Sequence, residues 1–222
     1  MERTPEPELM DDAAQARAYA EADFEAVNSG FVAGFLASFP ELGASPFILD
    51  VGCGPGDIPL RLARALPGAL VQAVDGSPAM IDLAREAIAA TEEADRIMLV
   101  QSTVQDLEPP PMPFHAVVSN SLLHHLHQPE CLWDAIGHVA HAGTAIYIMD
   151  LQRPGSAERA GEIVAEYAAD EPEQLRTDFY NSLLAAFTPE EVTAQLARAG
   201  LAGLAVESVS DRHLLVRGSL GG

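Results

Sequence analysis

The sequence feature that most constrains the fold is residues 48–57, Ile-Leu-Asp-Val-Gly-Cys-Gly-Pro-Gly-Asp. Its mainly apolar start predicts a buried strand. Glycines at alternate positions predict a turn whose backbone approaches a ligand without an intervening Cβ. The apolar pattern from about Ile58 predicts a helix whose free N–H groups point at that ligand. Strand, glycine turn and helix in this order are typical of nucleotide-binding α/β proteins.

Composition narrows the range of partners. The chain has 222 residues, of which 48% are hydrophobic, and its formal net charge is −21. Such an acidic surface repels phosphate backbones and anionic membranes, so we expect neither as a partner, although the charge is also typical of a solubility or salt adaptation. Two cysteines, one inside the glycine turn, fit a reducing compartment. With no signal peptide or membrane-length apolar run, we expect a cytoplasmic protein.

Short apolar strands alternate with helices over most of the chain, which predicts parallel strands joined by helical crossovers. The predicted strands are 46–51, 69–74, 96–101, 114–120, 144–151, 203–208 and 213–217. Because the last two are joined by a short turn, they predict an antiparallel hairpin. The expected fold is a Rossmann-like, doubly wound α/β sheet of seven strands, with helices at 57–66, 78–90, 128–140 and 188–200.

Three further segments flank this predicted sheet. Residues 1–11 are polar and acidic, which predicts a disordered tail before a single domain at 12–222. Residues 12–39 carry an apolar helical face, which indicates packing on the core edge or a helical lid whose Tyr19 or Asn28 reaches a ligand. Residues 152–187 are longer than a simple connection, and we expect them to form a helical substrate cap over the strand ends.

The carboxyl ends of the strands are where such sheets bind ligands. Asp75 ends the second predicted strand, where its carboxylate can accept hydrogen bonds from a ribose diol; capping of the following helix is the alternative. The third glycine, Gly56, comes one residue earlier than in the dinucleotide fingerprint. Asp57 then follows it, and a carboxylate there would repel a pyrophosphate but tolerate an ammonium or sulfonium. The spacing therefore favours a cationic adenosine cofactor.

With these motifs the sequence resembles the class I S-adenosylmethionine-dependent methyltransferases. The similarity lies in Leu-Asp-Val-Gly-Cys-Gly-Pro-Gly at 49–56, Ala-Val-Asp-Gly-Ser-Pro-Ala-Met-Ile at 73–81, Gln-Asp-Leu at 105–107 and Val-Val-Ser-Asn-Ser-Leu-Leu-His-His-Leu at 117–126. It covers about residues 46–151 in the family's order. The resemblance implies S-adenosylmethionine as the cofactor and methyl transfer as the activity.

The resemblance also implies a role for each matching position. The residues expected to bind the cofactor are Gly52, Cys53, Gly54, Asp75, Gly76, Met80, Thr103, Val104, Asn120, Ser121 and Leu122. The chain departs from the family at Ser102-Thr103, where Gly-Asp is frequent. We therefore expect the adenine amino group to be held by the Thr103 hydroxyl, or by Asp106 reaching in.

His124 and His125 are candidates for a general base, since an imidazole with a pKa near neutrality can deprotonate an acceptor. Packing of one of them as a neutral, capping histidine is the alternative, because adjacent histidines in a helical turn are not expected to face one pocket together. His127 completes His-His-x-His, but no cysteine or carboxylate cluster completes a tetrahedral zinc site in the sequence, so no metal is expected.

The acceptor is expected to be a small molecule. The motif after the fourth strand, Ser-Asn-Ser-Leu at 119–122, differs from that of nucleic-acid amino-methyltransferases. Candidate substrate contacts are Asp150, Arg153, Asp178 and Tyr180. Arg153 hints at an anionic acceptor, although a local salt bridge explains it equally well, and the aromatic residues of the insertion can also form a small core of their own.

The sequence thus predicts an S-adenosylmethionine-dependent methyltransferase acting on a small-molecule acceptor. Two alternatives remain open: a protein that uses the cofactor for other chemistry or senses it, and an NAD-dependent oxidoreductase, which the glycine spacing disfavours. The oligomeric state also stays open, with a homodimer as one option.

Overall fold

The computed structural model describes residues 1–221 as one seven-stranded sheet flanked by helices, with the strand order β3-β2-β1-β4-β5-β7-β6. The strands are β1 Phe47–Val51, β2 Leu70–Asp75, β3 Ile97–Gln101, β4 Ala116–Asn120, β5 Ala145–Leu151, β6 Ala205–Ser208 and β7 His213–Ser219. The helices are α1 Ala13–Glu21, α2 Glu25–Ser38, α3 Asp57–Ala65, α4 Pro78–Ala89, α5 Glu130–Val139, α6 Ala157–Tyr167, α7 Glu173–Ala185 and α8 Pro189–Arg198.

Strand directions confirm the predicted Rossmann-like sheet. β1 pairs in parallel with both β2 and β4, β2 with β3, and β4 with β5. β7 alone runs against its neighbours and forms the predicted antiparallel hairpin with β6. The chain order reverses between β1 and β4, which opens a crevice at their carboxyl ends.

Local signals in the sequence set the ends of the helices. Ser77 accepts a hydrogen bond from the backbone N–H of Met80 and so caps α4, and Pro78 is its first residue. Thr188 and Glu191 form a reciprocal capping box at the start of α8. Every residue of β1 and of β5 is buried, as expected for central strands covered by helices on both faces.

The segment 12–39 forms two helices that break between Glu21 and Glu25. α2 packs on the sheet through Phe31 and Phe35, whose rings lie 5.2 and 5.7 Å from that of Tyr147. The segment 152–187 forms α6 and α7, which share a small apolar core with Leu151. None of the described helices is both long and apolar enough to cross a membrane.

Residues 1–11 differ from the predicted disordered tail. They form neither helix nor strand, but residues 3–10, which we call the strap, lie against the carboxyl ends of the strands. Arg3 anchors the strap: its guanidinium donates to the carbonyls of His124 (2.7 Å), Leu126 (3.0 Å) and Ala185 (2.5 Å) and stacks 4.0 Å above the Phe187 ring. Composition alone predicts disorder here, because it does not reveal that Arg3 finds hydrogen-bond partners in distant parts of the chain.

Candidate functional site

The glycine turn follows β1 directly and has the backbone that only glycine adopts at low cost. Gly52, Gly54 and Gly56 have φ angles of 75°, 52° and 90°. A Cβ on Gly52 would lie 2.9 Å from the Cβ of Leu122, so the turn and the β4 loop approach each other too closely for a side chain. The turn is tied to β2 because Gly52 and Cys53 both donate to the carbonyl of Val74, at 2.8 and 2.9 Å.

Asp75 joins this turn to the start of α4. Its Oδ2 accepts from the backbone N–H of Gly54 and its Oδ1 from that of Ser77, both at 2.8 Å. Burial raises the pKa of Asp75, and the two N–H groups oppose that rise. Since a carboxylate has about four acceptor positions, roughly two remain for a ligand.

A larger cavity of about 720 Å³ lies over this turn. All eleven residues expected to bind the cofactor line it: Gly52, Cys53, Gly54, Asp75, Gly76, Met80, Thr103, Val104, Asn120, Ser121 and Leu122. Thr103 donates its hydroxyl to Asp106 at 2.7 Å, so the two residues proposed as alternatives for the adenine amino group are bonded to each other. Only Thr103 of this pair lines the cavity.

Hydrogen bonds that the sequence did not reveal join four side chains that line the larger cavity. Asn28 of α2 donates to Asp57 at 2.7 Å and accepts from Asn120 at 3.2 Å. Asp57 also accepts from Arg61 at 2.6 Å. Asn28 was one of two lid residues that could reach a ligand, and the other, Tyr19, also lines the larger cavity.

A smaller cavity of about 250 Å³ adjoins the larger one. The two cavities share Tyr19, Asn28, Asn120, Ser121 and His125, among others. Ser121, at their boundary, has a φ of 60°, which makes it the one non-glycine residue with a positive φ in the described chain. Its strained backbone turns the chain sharply between β4 and the histidines.

His124 is buried on the wall of the smaller cavity and is held by Asp150. Its Nδ1 lies 2.5 Å from Oδ1 of Asp150, and its Nε2 lies 3.5 Å from Oε1 of Glu6 on the strap. Burial opposes protonation of the ring, but the charge and hydrogen bond of Asp150, with the charge of Glu6, raise the pKa of His124. Glu6 went unnoticed in the sequence because the strap was expected to be disordered.

His125 also lines the smaller cavity, so the expectation that the two histidines would not share a pocket is wrong. The short 3₁₀ turn Leu123–His125 brings their rings to 4.2 Å from each other. Burial, and then the neighbouring His124, lower the pKa of His125 to about 3. His127 bonds to the strap instead, whereas donor atoms of Glu6, His124 and His125 lie within 4.8 Å of one another.

The four candidate substrate contacts separate into two groups. Asp178 of α7 lines the smaller cavity. The other three do not line either cavity: Asp150 points inward to His124, Tyr180 packs in the core of α6 and α7, and Arg153 is buried in a pair with Glu191 at 2.5 Å. The suggested anionic acceptor therefore loses its basis, because the local salt bridge accounts for Arg153.

Asp50 is a buried carboxyl at the end of β1, and within residues 1–221 neither of its oxygens has a hydrogen-bond partner. Burial, followed by the charge of Asp75, raises the pKa of Asp50 to about 8. The group is therefore mostly neutral at pH 7, which lowers the cost of its burial.

We expect Asp50→Asn to stabilise the cofactor-free protein increasingly as the pH rises. The folded pKa lies above the unfolded one, so this carboxyl is tolerated at low pH and destabilises the fold as the pH rises toward about 8. Each pH unit between the two pKa values corresponds to about 1.4 kcal/mol, so the gain at pH 9 should reach several kcal/mol. Urea unfolding at pH 5 and pH 9 measures it. If the stabilities of the parent and the variant changed in parallel with pH, the raised pKa of Asp50 would be contradicted. The control is Asp95→Asn, at an exposed position.

Comparisons with known proteins agree with this geometry. Residues 48–143 match a family model described as a methyltransferase domain. The ubiquinone biosynthesis O-methyltransferase of Xylella fastidiosa is 30% identical over 155 residues, which cover 69% of this chain and 60% of that protein. The chain belongs to the class I S-adenosylmethionine-dependent methyltransferases. It spans about 60% of the length of the curated relatives it matches first.

Solved structures of this family share the fold. A putative S-adenosylmethionine-dependent methyltransferase from Methanococcus maripaludis aligns with a TM-score of 0.71 and 20% identity, over 99% of this chain and 98% of that one. The plantazolicin methyltransferase BpumL, solved with a triazolic desmethylPZN analogue and S-adenosylhomocysteine, aligns with a TM-score of 0.67 and 14% identity, over 93% of this chain and 90% of that one. At these identities the likeness concerns the fold alone.

The lining of the larger cavity fits the cofactor of this family, S-adenosylmethionine. Carboxylates of Asp23, Asp57 and Asp75 line it, and Arg61 is its one arginine within the described chain. That arginine is already paired with Asp57 and Glu25 at 2.6 Å each. The cavity therefore suits a ligand with a sulfonium and an ammonium group and opposes a pyrophosphate.

Proposed function

We propose that the protein transfers the methyl group of S-adenosylmethionine to a small-molecule acceptor. The cofactor would occupy the larger cavity and the acceptor the smaller one, under the cap formed by α6 and α7. The observation that carries this proposal is that the two cavities meet at Asn120 and Ser121, with His124 on the acceptor side.

Bound in the larger cavity, the cofactor supplies a methyl carbon activated by the adjacent sulfonium. The cofactor would give that methyl group to the acceptor and leave as S-adenosylhomocysteine, and Nε2 of His124 would take the proton that the acceptor loses. Asp150 holds the ring by Nδ1 and stabilises the imidazolium that forms. Asn28 and Asn120 fix the wall between the two ligands, so the site contributes mainly alignment.

Calorimetric titration with S-adenosylmethionine, S-adenosylhomocysteine and NAD tests the cofactor. We expect S-adenosylmethionine and S-adenosylhomocysteine to bind. NAD should bind at least about a hundredfold more weakly, which is a difference of about 2.7 kcal/mol. Incubation with labelled cofactor and a metabolite extract, with and without a chelator, then tests for transfer. Tight NAD binding without S-adenosylhomocysteine binding would refute S-adenosylmethionine as the cofactor. Binding of S-adenosylmethionine without methyl transfer would favour a sensing role.

A further inference from the structure

We propose that the acceptor is an organic cation, a small molecule whose protonated amino group is held among carboxylates and aromatic rings in the smaller cavity. This inference rests on the proposed function, because it names the class of molecule that the acceptor side of the site would take.

Four carboxylates line the smaller cavity: Glu6 from the strap, Asp23 between α1 and α2, Glu171 before α7, and Asp178 within α7. Asp178 is held in place by two neutral donors, Gln15 at 3.2 Å and Gln174 at 2.8 Å. In residues 1–221 no arginine lies within salt-bridge distance of any of the four. The wall therefore presents negative charge that the protein itself does not neutralise with arginine.

Basic groups on the same wall do not offset that charge. Arg212 is the single arginine that lines the smaller cavity in the described chain, and it lies 3.4 Å from Asp211 and 3.3 Å above the Tyr167 ring. Burial, followed by the charge of Arg212, lowers the pKa of His213 to about 4, and that of His125 is lower still. Both rings are therefore neutral at pH 7. His124, whose pKa is raised, lies 3.5 Å from Glu6 and balances at most that one carboxylate, so Asp23, Glu171 and Asp178 leave the cavity with a net negative charge.

Aromatic rings complete a site suited to a cation. Tyr19, Phe24 and Phe179 line the smaller cavity, and the rings of Tyr19 and Phe24 lie 4.9 Å apart. Tyr167 also lines it, but Arg212 already covers a face of its ring. The negative faces of such rings attract ammonium groups by about 0.5–2 kcal/mol each. Carboxylates together with ring faces recognise an amine, whereas an acidic acceptor would be repelled by the carboxylates of the wall.

An independent observation shows that the same cavity is built to receive a polar group. His124 is buried, with 3% of its surface exposed, and its Nε2 lies 3.5 Å from Oε1 of Glu6 on the cavity wall. Its other nitrogen is occupied by Asp150, so Nε2 is the atom left for a ligand. Beside it, Oδ1 of Asn120, a residue that lines both cavities, is a buried acceptor without a hydrogen-bond partner in the described chain, which is costly unless a bound molecule donates to it.

Competitive binding of matched ligands tests the proposal on the full chain saturated with S-adenosylhomocysteine. The probes share one phenolic body and differ in charge: tyramine, 4-ethylphenol and 3-(4-hydroxyphenyl)propionate. We expect tyramine to bind at least about tenfold more tightly than the carboxylate, with the neutral phenol between them. Asp178→Asn should reduce this preference several-fold, and Asp170→Asn, which removes the same charge at an exposed position nearby, should leave it unchanged.

Equal binding of amine and carboxylate, or no amine binding at millimolar concentration, would overturn the proposal. An unchanged preference in both Asp178→Asn and Asp23→Asn would do the same, and the melting temperature of each variant shows whether it has folded. S-adenosylhomocysteine binding is measured separately. If the parent protein does not bind S-adenosylhomocysteine, the proposed function is refuted. If it binds S-adenosylhomocysteine but shows no preference for the amine, only the cationic acceptor is refuted.

Discussion

Replacing His124 by glutamine should lower the rate of methyl transfer by about a hundredfold to ten thousandfold, while the affinity for S-adenosylhomocysteine stays the same. The physical reason is the geometry of the ring: Asp150 fixes Nδ1 at 2.5 Å and leaves Nε2 to take the proton of the acceptor. Single-turnover rates and calorimetry separate the two effects. His138→Gln, an exposed histidine of α5, is the control.

The pH dependence of the rate gives this assignment a second readout. The base must be neutral to accept a proton, and the pKa of His124 is raised, so the rate should increase with pH through a pKa above 6.5. Asp150→Asn removes the charge that favours the imidazolium. It should slow the reaction and move the rise of the rate with pH to lower pH. A His124→Gln enzyme with an unchanged rate and pH profile would contradict the role.

Replacing Asp75 by alanine should weaken S-adenosylhomocysteine binding at least about tenfold, because one charged hydrogen bond contributes about 1.5–3 kcal/mol. The carboxylate is preorganised by the backbone N–H groups of Gly54 and Ser77, and it lines the larger cavity with acceptor positions to spare. Calorimetry on the parent and the variant measures the loss. Asp82→Ala, on the exposed side of α4, is the control.

Because Asp75 also clamps the glycine turn, its ribose contact needs a separate test. The parent and Asp75→Ala should be compared with S-adenosylhomocysteine and with its 2′-deoxy analogue. If the carboxylate binds the ribose diol, the parent discriminates between the two ligands and the variant does not. Equal discrimination in both proteins would show that the carboxylate acts only on the fold of the turn.

The sequence predicts the sheet well because its signals are local. Alternating apolar runs, the glycine turn and the caps at Ser77 and Thr188 each act within a few residues, and all the predicted strands are present in the structure. The eleven predicted residues that line the larger cavity follow for the same reason, since they lie at or shortly after the ends of parallel strands.

The remaining errors concern contacts between distant parts of the chain. Arg153 was a candidate substrate contact because the sequence does not show that Glu191 lies across from it. Asp150 was another, but it turns inward to His124 on the neighbouring loop. Glu6 escaped notice because Arg3 holds the strap through carbonyls more than a hundred residues away. Composition and periodicity carry no information about such pairs.

The strap has a consequence for how ligands enter and leave. Its residues Leu9 and Met10 line both cavities, and Met10 accepts a hydrogen bond from Ser77 beside the larger one. Among the described residues that hydrogen bond is the one that holds Leu9 and Met10, at about 1 kcal/mol, whereas Arg3 at the start of the strap donates three, so the end at residues 9–10 opens most readily. If the two cavities hold cofactor and acceptor as proposed, both ligands pass Leu9 and Met10, and displacement of this end of the strap would limit how fast either is exchanged.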